Sequence, residues 1–231
     1  LYRNIQRFLL FQLTVNVAAC FLVLVGSFIG SESPLTVTQM LWVNLIMDTF
    51  GAMALASLPP SPSVMKDKPR DRKSSILTLP MIYELLEVGF LFFAITLGFY
   101  CIFEATDVTS IPSMFHALPK SDLGMTPYEM TLLFSIFVWT HFFYLFDTRC
   151  FETHRSVFRL PMSGGFWTIV LVIVVGQIFI TEVAYEFFNV APMFHTSDWK
   201  WNGAGALDFL IIVSASSLVL WVRELYTLLR R

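Results

Sequence analysis

The chain has 231 residues, 56% of them hydrophobic and 24 of them Phe, and a net charge of −2. A mean hydropathy of +0.67 puts it in the membrane class and excludes a water-soluble domain. With so little net charge and no basic stripe, nucleic acid is excluded as a partner.

Apolar stretches of the roughly 20 residues needed to cross a bilayer lie at 8–29, 36–58, 80–103, 130–147, 166–185 and 205–225. They predict an all-α membrane protein, a bundle of six transmembrane helices. Positive residues test the count, since they favour cytoplasmic loops. Arg3 and Arg7 precede the first stretch, Lys66 to Lys73 follow the second, Arg149, Arg155 and Arg159 follow the fourth, and Arg223, Arg230 and Arg231 close the sixth. This alternation makes both termini cytoplasmic. Glu32, Asp107, Asp122, Glu186 and Asp198 then form an acidic outer mouth, which either attracts cations or is simply solvated.

The first stretch has no small-residue cleavage site and reads as a retained span. It carries Asn16, either an oxygen donor or a hydrogen bond between helices. The turn Gly30-Ser31-Glu32-Ser33-Pro34 makes the first two spans antiparallel neighbours, so Asn16 can meet the polar residues of the second span at similar depth. Those are Asn44 and Asp48, four residues apart and therefore on one helix face. A carboxylate at membrane depth costs roughly 2.5 to 3.5 kcal/mol on insertion scales, which marks an ion or proton pathway. The amide beside it adds a hard oxygen, suited to Ca²⁺, Mg²⁺, Na⁺ or H⁺ rather than to a soft metal.

The next connection, from Pro59 to Ser75, is proline-rich and then basic, a stiff cytoplasmic segment. Glu84 and Glu87 open the third span, where a helix N-terminus favours negative charge. The fourth span carries His141, either a packed hydrogen-bonding group or a proton carrier, and Asp147, expected to pair locally near Arg149. Glu104, Glu129, Glu182 and Asp208 sit at outer helix ends, where interfacial solvation accounts for them. The run from Ala191 to His195 with Trp199 and Trp201 reads as an aromatic belt. Cys20, Cys101 and Cys150 lack metal-ligand spacing and read as small core residues. No nucleophile with its base and no phosphate-cradling loop is present.

Met40-Leu41-Trp42-Val43-Asn44-Leu45-Ile46-Met47-Asp48-Thr49, followed by Leu58-Pro59-Pro60 and Lys68-Pro69-Arg70, resembles the sixth membrane helix and following loop of P-type calcium-transporting ATPases. Phe11-Gln12-Leu13-Thr14-Val15-Asn16-Val17 is similar to the fifth helix of the plasma-membrane-type calcium pumps. The resemblance implies that the six spans are the fifth to tenth helices of a ten-helix pump exporting calcium through a phosphorylated intermediate. Asn44 and Asp48 would be its Ca²⁺ ligands, with Asn16 beside them. Two-calcium pumps have a glutamate where this chain has Ala19, and another at the position aligned with His141. Their loss implies one calcium per cycle and leaves His141 as a substitute site residue or a proton relay. The Asp-Lys-Thr-Gly-Thr phosphorylation motif and the fourth-helix Pro-Glu-Gly-Leu segment are absent from these residues. ATP and Mg²⁺ would therefore act on the remainder of the same pump: its first four helices and its actuator, phosphorylation and nucleotide domains. The membrane would be a plasma membrane, with the compact loops favouring a bacterial inner membrane. Other readings are a P-type pump for Mn²⁺, Na⁺ or H⁺, and a standalone channel or proton-coupled transporter built on Asp48.

Overall fold

The computed structural model describes residues 2–29, 33–57, 75–151, 156–159, 163–196 and 198–229. The turn at 30–32, the basic connection at 58–74, Arg155, Arg230, Arg231 and the side chains of Asp48 and Arg159 lie outside the described residues.

All described elements are helical. Helix α1 spans Tyr2–Ile29, 28 residues without proline, so it is about 42 Å long and exceeds the roughly 30 Å hydrocarbon core. Helix α4 (Leu79–Ala105) starts with proline in its first turn, where the missing N–H is not needed. Helix α5 (Pro127–Thr148) is opened by a reciprocal capping box between Thr126 and Glu129. The Ser163 hydroxyl caps α6 (Gly164–Glu182) and the Asn202 amide caps α7 (Gly203–Ser216), which continues past Ser217 into α8 (Leu218–Leu229). Among the described residues five helices are long and apolar enough to cross a membrane: α1, α4, α5, α6 and the α7–α8 run over Gly203–Leu225. Inside them Thr14, Ser27 and Thr96 return their hydroxyls to the carbonyls of Leu10, Val23 and Phe92 at 2.7–2.8 Å, which satisfies polar groups where no water competes.

The expected second span at 36–58 is not one regular helix. It is a rod of three pieces: α2 (Val37–Leu41), a π-helical segment (Trp42–Met47) and α3 (Asp48–Ala56). Hydrophobic periodicity does not reveal such a widened turn, because the apolar run is unbroken on both sides of it. π turns are rare and concentrate at functional sites.

Helix α5 is the centre of the bundle. Its spanning window is 89% buried, whereas the other four candidate spans bury 28–39% of theirs. Around it pack α1, α4, α7 and α8, and the rod lies between α1 and α6. Lipid is as apolar as these side chains, so close packing rather than expulsion from water holds the helices together. The rings of Trp139, Phe142, Phe146 and Phe166 meet edge to face at centroid distances of 5.2–5.5 Å.

The rod runs antiparallel to α1. Asn4 donates to the Ala56 carbonyl at 3.4 Å, a side-chain carbon at Gly51 would lie 2.9 Å from the Phe11 ring, and one at Gly26 would lie 2.0 Å from Pro34. Only glycine allows the last approach. These paired numbers add to 60, 62 and 60, so position 16 lies level with 44–46.

At the end of the bundle where α4 stops and α5 starts, the acidic residues are not solvated as expected. Glu104, Glu129, Glu182 and Asp208 are 4%, 0%, 8% and 0% exposed. Three of them hold the connections down. Glu129 accepts from the backbone N–H of Val108 (2.8 Å) and of Thr126 (2.7 Å) and from Lys120 Nζ (2.6 Å). Asp208 accepts from Ile111 N–H and the Tyr128 hydroxyl, and Glu182 from the N–H groups of Met193 and Phe194. Loop backbone needs acceptors when it is covered, and the carboxylates supply them. Two further expectations change. Cys20 and Cys101 are exposed rather than in the core, and only Cys150 is buried. The Arg149 guanidinium lies 4.4 Å from the Phe166 ring centroid, while Asp147 Oδ1 is buried with no hydrogen-bond partner among the described residues.

His195, in the α6–α7 connection, stacks on the exposed Trp199 at 4.1 Å. Its Nδ1 lies 2.9 Å from the Thr196 carbonyl oxygen and its Nε2 2.9 Å from that of Glu182. Both partners accept only, so both bonds exist together only in the imidazolium. These two carbonyls, helped by the Glu182 carboxylate, raise the pKa above its ordinary 6.5. A raised folded-state pKa means that the stabilisation is complete below that ordinary value and is lost as pH rises through the raised one. Amide protection factors over 183–202 are expected to fall as pH rises above about 6.5, and His195→Gln to abolish that pH dependence. Unchanged protection across the range would contradict the assignment.

Candidate functional site

Asn44 is the third residue of the π-helical segment; its side chain is exposed and makes no hydrogen bond among the described residues. Asn16, half-buried on α1 and level with it, likewise makes none. Primary amides without partners are unfavourable in an apolar phase, and here two of them share one level on neighbouring helices. Their carbonyls are hard oxygen donors, able to take part in the shell of a hard cation without adding charge repulsion. No group of three or more His, Cys, Asp or Glu residues able to hold a metal ion occurs among the described residues. Asp48, whose side chain lies outside the described residues, begins α3 four residues after Asn44.

The rod is clamped from the α6 side. The Trp42 indole N–H donates to Gln177 Oε1 at 3.0 Å, and Gln39 Nε2 donates to the Phe188 carbonyl at 2.9 Å. From the α5 side a further hydroxyl reaches the same region: Tyr144 lies 3.3 Å from Thr14 Oγ1 and is fully buried.

A family model for the C-terminus of cation transporting ATPases matches residues 32–229. The chain belongs to that family. Its relatives include plasma membrane calcium-transporting ATPase 3 of the rat (Rattus norvegicus), 36% identical over 202 residues that make up 87% of this chain and 16% of the relative. They also include plasma membrane calcium-transporting ATPase 1 of the rabbit (Oryctolagus cuniculus), 35% identical over 214 residues, 89% of this chain and 17% of the relative. Plasma membrane calcium-transporting ATPase 4 of cattle (Bos taurus) is 34% identical over 205 residues, 87% of this chain and 16% of the relative. The chain thus spans about one sixth of the length of the relatives it matches. Asn44, Asp48 and His141 fall within the range matched to the family, and Asn16 precedes it.

His141 on α5 is fully buried between Phe92, at a ring distance of 5.0 Å, and Phe137, at 4.2 Å. Its Nδ1 lies 2.6 Å from the Phe137 carbonyl oxygen, which requires the proton on Nδ1, and its Nε2 has no hydrogen-bond partner among the described residues. The structure therefore brings Asn16 and Asn44 to one level and surrounds His141 with aromatic rings. The Trp42–Gln177 and Thr14–Tyr144 pairs escaped the sequence reading, because each joins residues 130 or more positions apart. The only sequence signal was a lone polar atom in each apolar run.

Proposed function

We propose that this chain is the C-terminal membrane part of an ATP-driven calcium-export pump, in which Asn44, Asp48 and Asn16 supply oxygen ligands to a single Ca²⁺ transport site. The observation that carries the reading is the pair of amides, Asn16 and Asn44, without hydrogen-bond partners among the described residues and level with each other where the rod widens into a π turn. The names of the relatives, plasma membrane calcium-transporting ATPases, support calcium as the ion.

On this reading the rod is a sixth span, both termini are cytoplasmic, and residues 1–231 form one transmembrane domain. The remaining helices and the actuator, phosphorylation and nucleotide domains belong to the rest of the pump, which binds ATP and Mg²⁺. Ala19 and His141 stand where a second ion would need carboxylates, so one calcium moves per cycle. His141, whose Nε2 has no partner among the described residues and which sits in an apolar setting, is the candidate for a proton relay or substitute site group. The membrane is a plasma membrane, and for a bacterial source the inner one.

ATP-driven calcium accumulation in sealed vesicles carrying the full-length pump tests the proposal. Uptake that requires ATP and saturates with calcium supports it. Accumulation of Mn²⁺ or Na⁺ in place of calcium, or transport independent of ATP, would refute it.

A further inference from the structure

The π-helical segment that carries Asn44 is fixed at its first residue by a contact from another helix. Trp42 donates its indole N–H to Gln177 Oε1 at 3.0 Å. Its ring lies against Gly176, where a side-chain carbon would come within 2.7 Å of Trp42 Cη2. The indole also meets the Phe188 ring, at a centroid distance of 6.5 Å and an interplanar angle of 79°. Adjacent residues of α6 thus perform separate tasks: Gly176 lets the indole approach, and Gln177 orients it.

Gln177 is a poor residue for packing alone. It is 2% exposed in a spanning helix, and its Nε2 has no hydrogen-bond partner among the described residues. The side chains beside it, between α5 and α6, are Val138, Trp139, Phe142, Ile173 and Val174. None of those side chains offers an acceptor, so the amide pairs only through its carbonyl to Trp42. A buried unpaired N–H₂ is unfavourable, and a leucine or methionine at 177 would avoid that penalty. What the glutamine adds over those residues is a fixed direction for the indole.

We propose that Trp42, Gly176 and Gln177 form a clamp that holds the wide turn open, so that Gln177 is a positioning residue for the cation site two and six residues further along the rod. The proposal rests on the reading of Asn44 and Asp48 as ion ligands. A helix relaxing from π to α geometry redistributes residues around its axis by losing the widened turn, which would rotate Asn44 relative to Asp48. The clamp opposes that relaxation from the π segment's first residue.

The test uses the full-length pump in sealed vesicles, with calcium-dependent uptake normalised to expressed protein. Gln177→Met keeps length and removes the acceptor, Trp42→Phe keeps an aromatic ring and removes the donor, and Gly176→Ala pushes the indole away. Each is expected to raise the half-saturating calcium about threefold to tenfold, as loss of one hydrogen bond implies, with the maximal rate within about twofold of wild type. The double variant Trp42→Phe/Gln177→Met should be no worse than the worse single variant, since both remove the same bond. A lowered maximal rate with an unchanged calcium midpoint in the two conservative variants means a packing role only and overturns the clamp. Additive effects in the double variant overturn it too. Asp48→Asn measured alongside separates the failures. If Asp48→Asn shifts the midpoint and the clamp variants do not, the clamp is wrong and the site stands. If Asp48→Asn shifts nothing, the site reading falls and the clamp's role with it.

Discussion

Glu129→Ala is expected to destabilise the fold by about 3 to 5 kcal/mol, the range for removing one partner of a buried ion pair. Lys120 Nζ sits 2.6 Å from Glu129 Oε2, and the two side chains are 12% and 0% exposed. Alanine leaves an ammonium with only the carbonyls of Phe103 and Gly124, each at 2.7 Å. It also removes the acceptors for Val108 N–H and Thr126 N–H, the second of which belongs to the box that opens α5. Because α5 is the most buried helix, fraying its first turn loosens the contacts of α1, α4 and α7 together. The measurement is the midpoint of thermal unfolding in detergent for wild type, Glu129→Ala, Lys120→Met and the double variant. The double variant should recover part of the loss, because the isolated ammonium is then gone. Full additivity of the two single effects would show that the pair does not act as a unit.

That prediction rests on a part of the fold that the sequence did not display. Composition and run length were enough to locate the helices: the observed α4, at 79–105, encloses the expected 80–103, and α5 at 127–148 encloses 130–147. Both estimates stopped short at the polar capping residues, where apolar periodicity ends but backbone geometry does not. Carboxylates at helix ends were the harder case. A glutamate beside water and a glutamate buried under a folded loop have the same neighbours in sequence, and only the return of residues 105–126 over the bundle end distinguishes them. The π segment was hidden for a related reason, since hydrogen-bond register leaves no trace in residue type. The geometry of the candidate site was partly legible. A short turn forces α1 and the rod to run antiparallel, so the approximate depth of Asn16 relative to Asn44 followed from counting residues. The Trp42–Gln177 contact could not be counted, because nothing in the sequence fixes which helix lies beside the rod opposite α1.

The largest effect is expected from Asp48→Asn, with Asn44→Ala second. Among the three proposed ligands only Asp48 carries charge, and exchanging it for an amide leaves a divalent cation facing neutral oxygens alone. Removing one partner of a desolvated charge pair is worth about 3 to 5 kcal/mol, so the half-saturating calcium should rise by about a hundredfold to several thousandfold. At calcium levels near the wild-type midpoint, uptake in this variant falls to about one per cent or less. Asn44→Ala removes a neutral ligand, worth about 1 to 3 kcal/mol, so a shift of about fivefold to a hundredfold is expected. Asn44→Asp restores an oxygen at the same place and should recover most of the lost affinity, whereas Asn44→Leu, of similar size and without oxygen, should behave like alanine. That pattern separates ligation from packing. Asn44 is exposed on the rod, so substitutions there disturb few neighbours, and a shift that follows the oxygen rather than the volume identifies the amide as a ligand. Equal midpoints for wild type and Asn44→Ala would remove Asn44 from the site and leave the π turn without the role assigned to it.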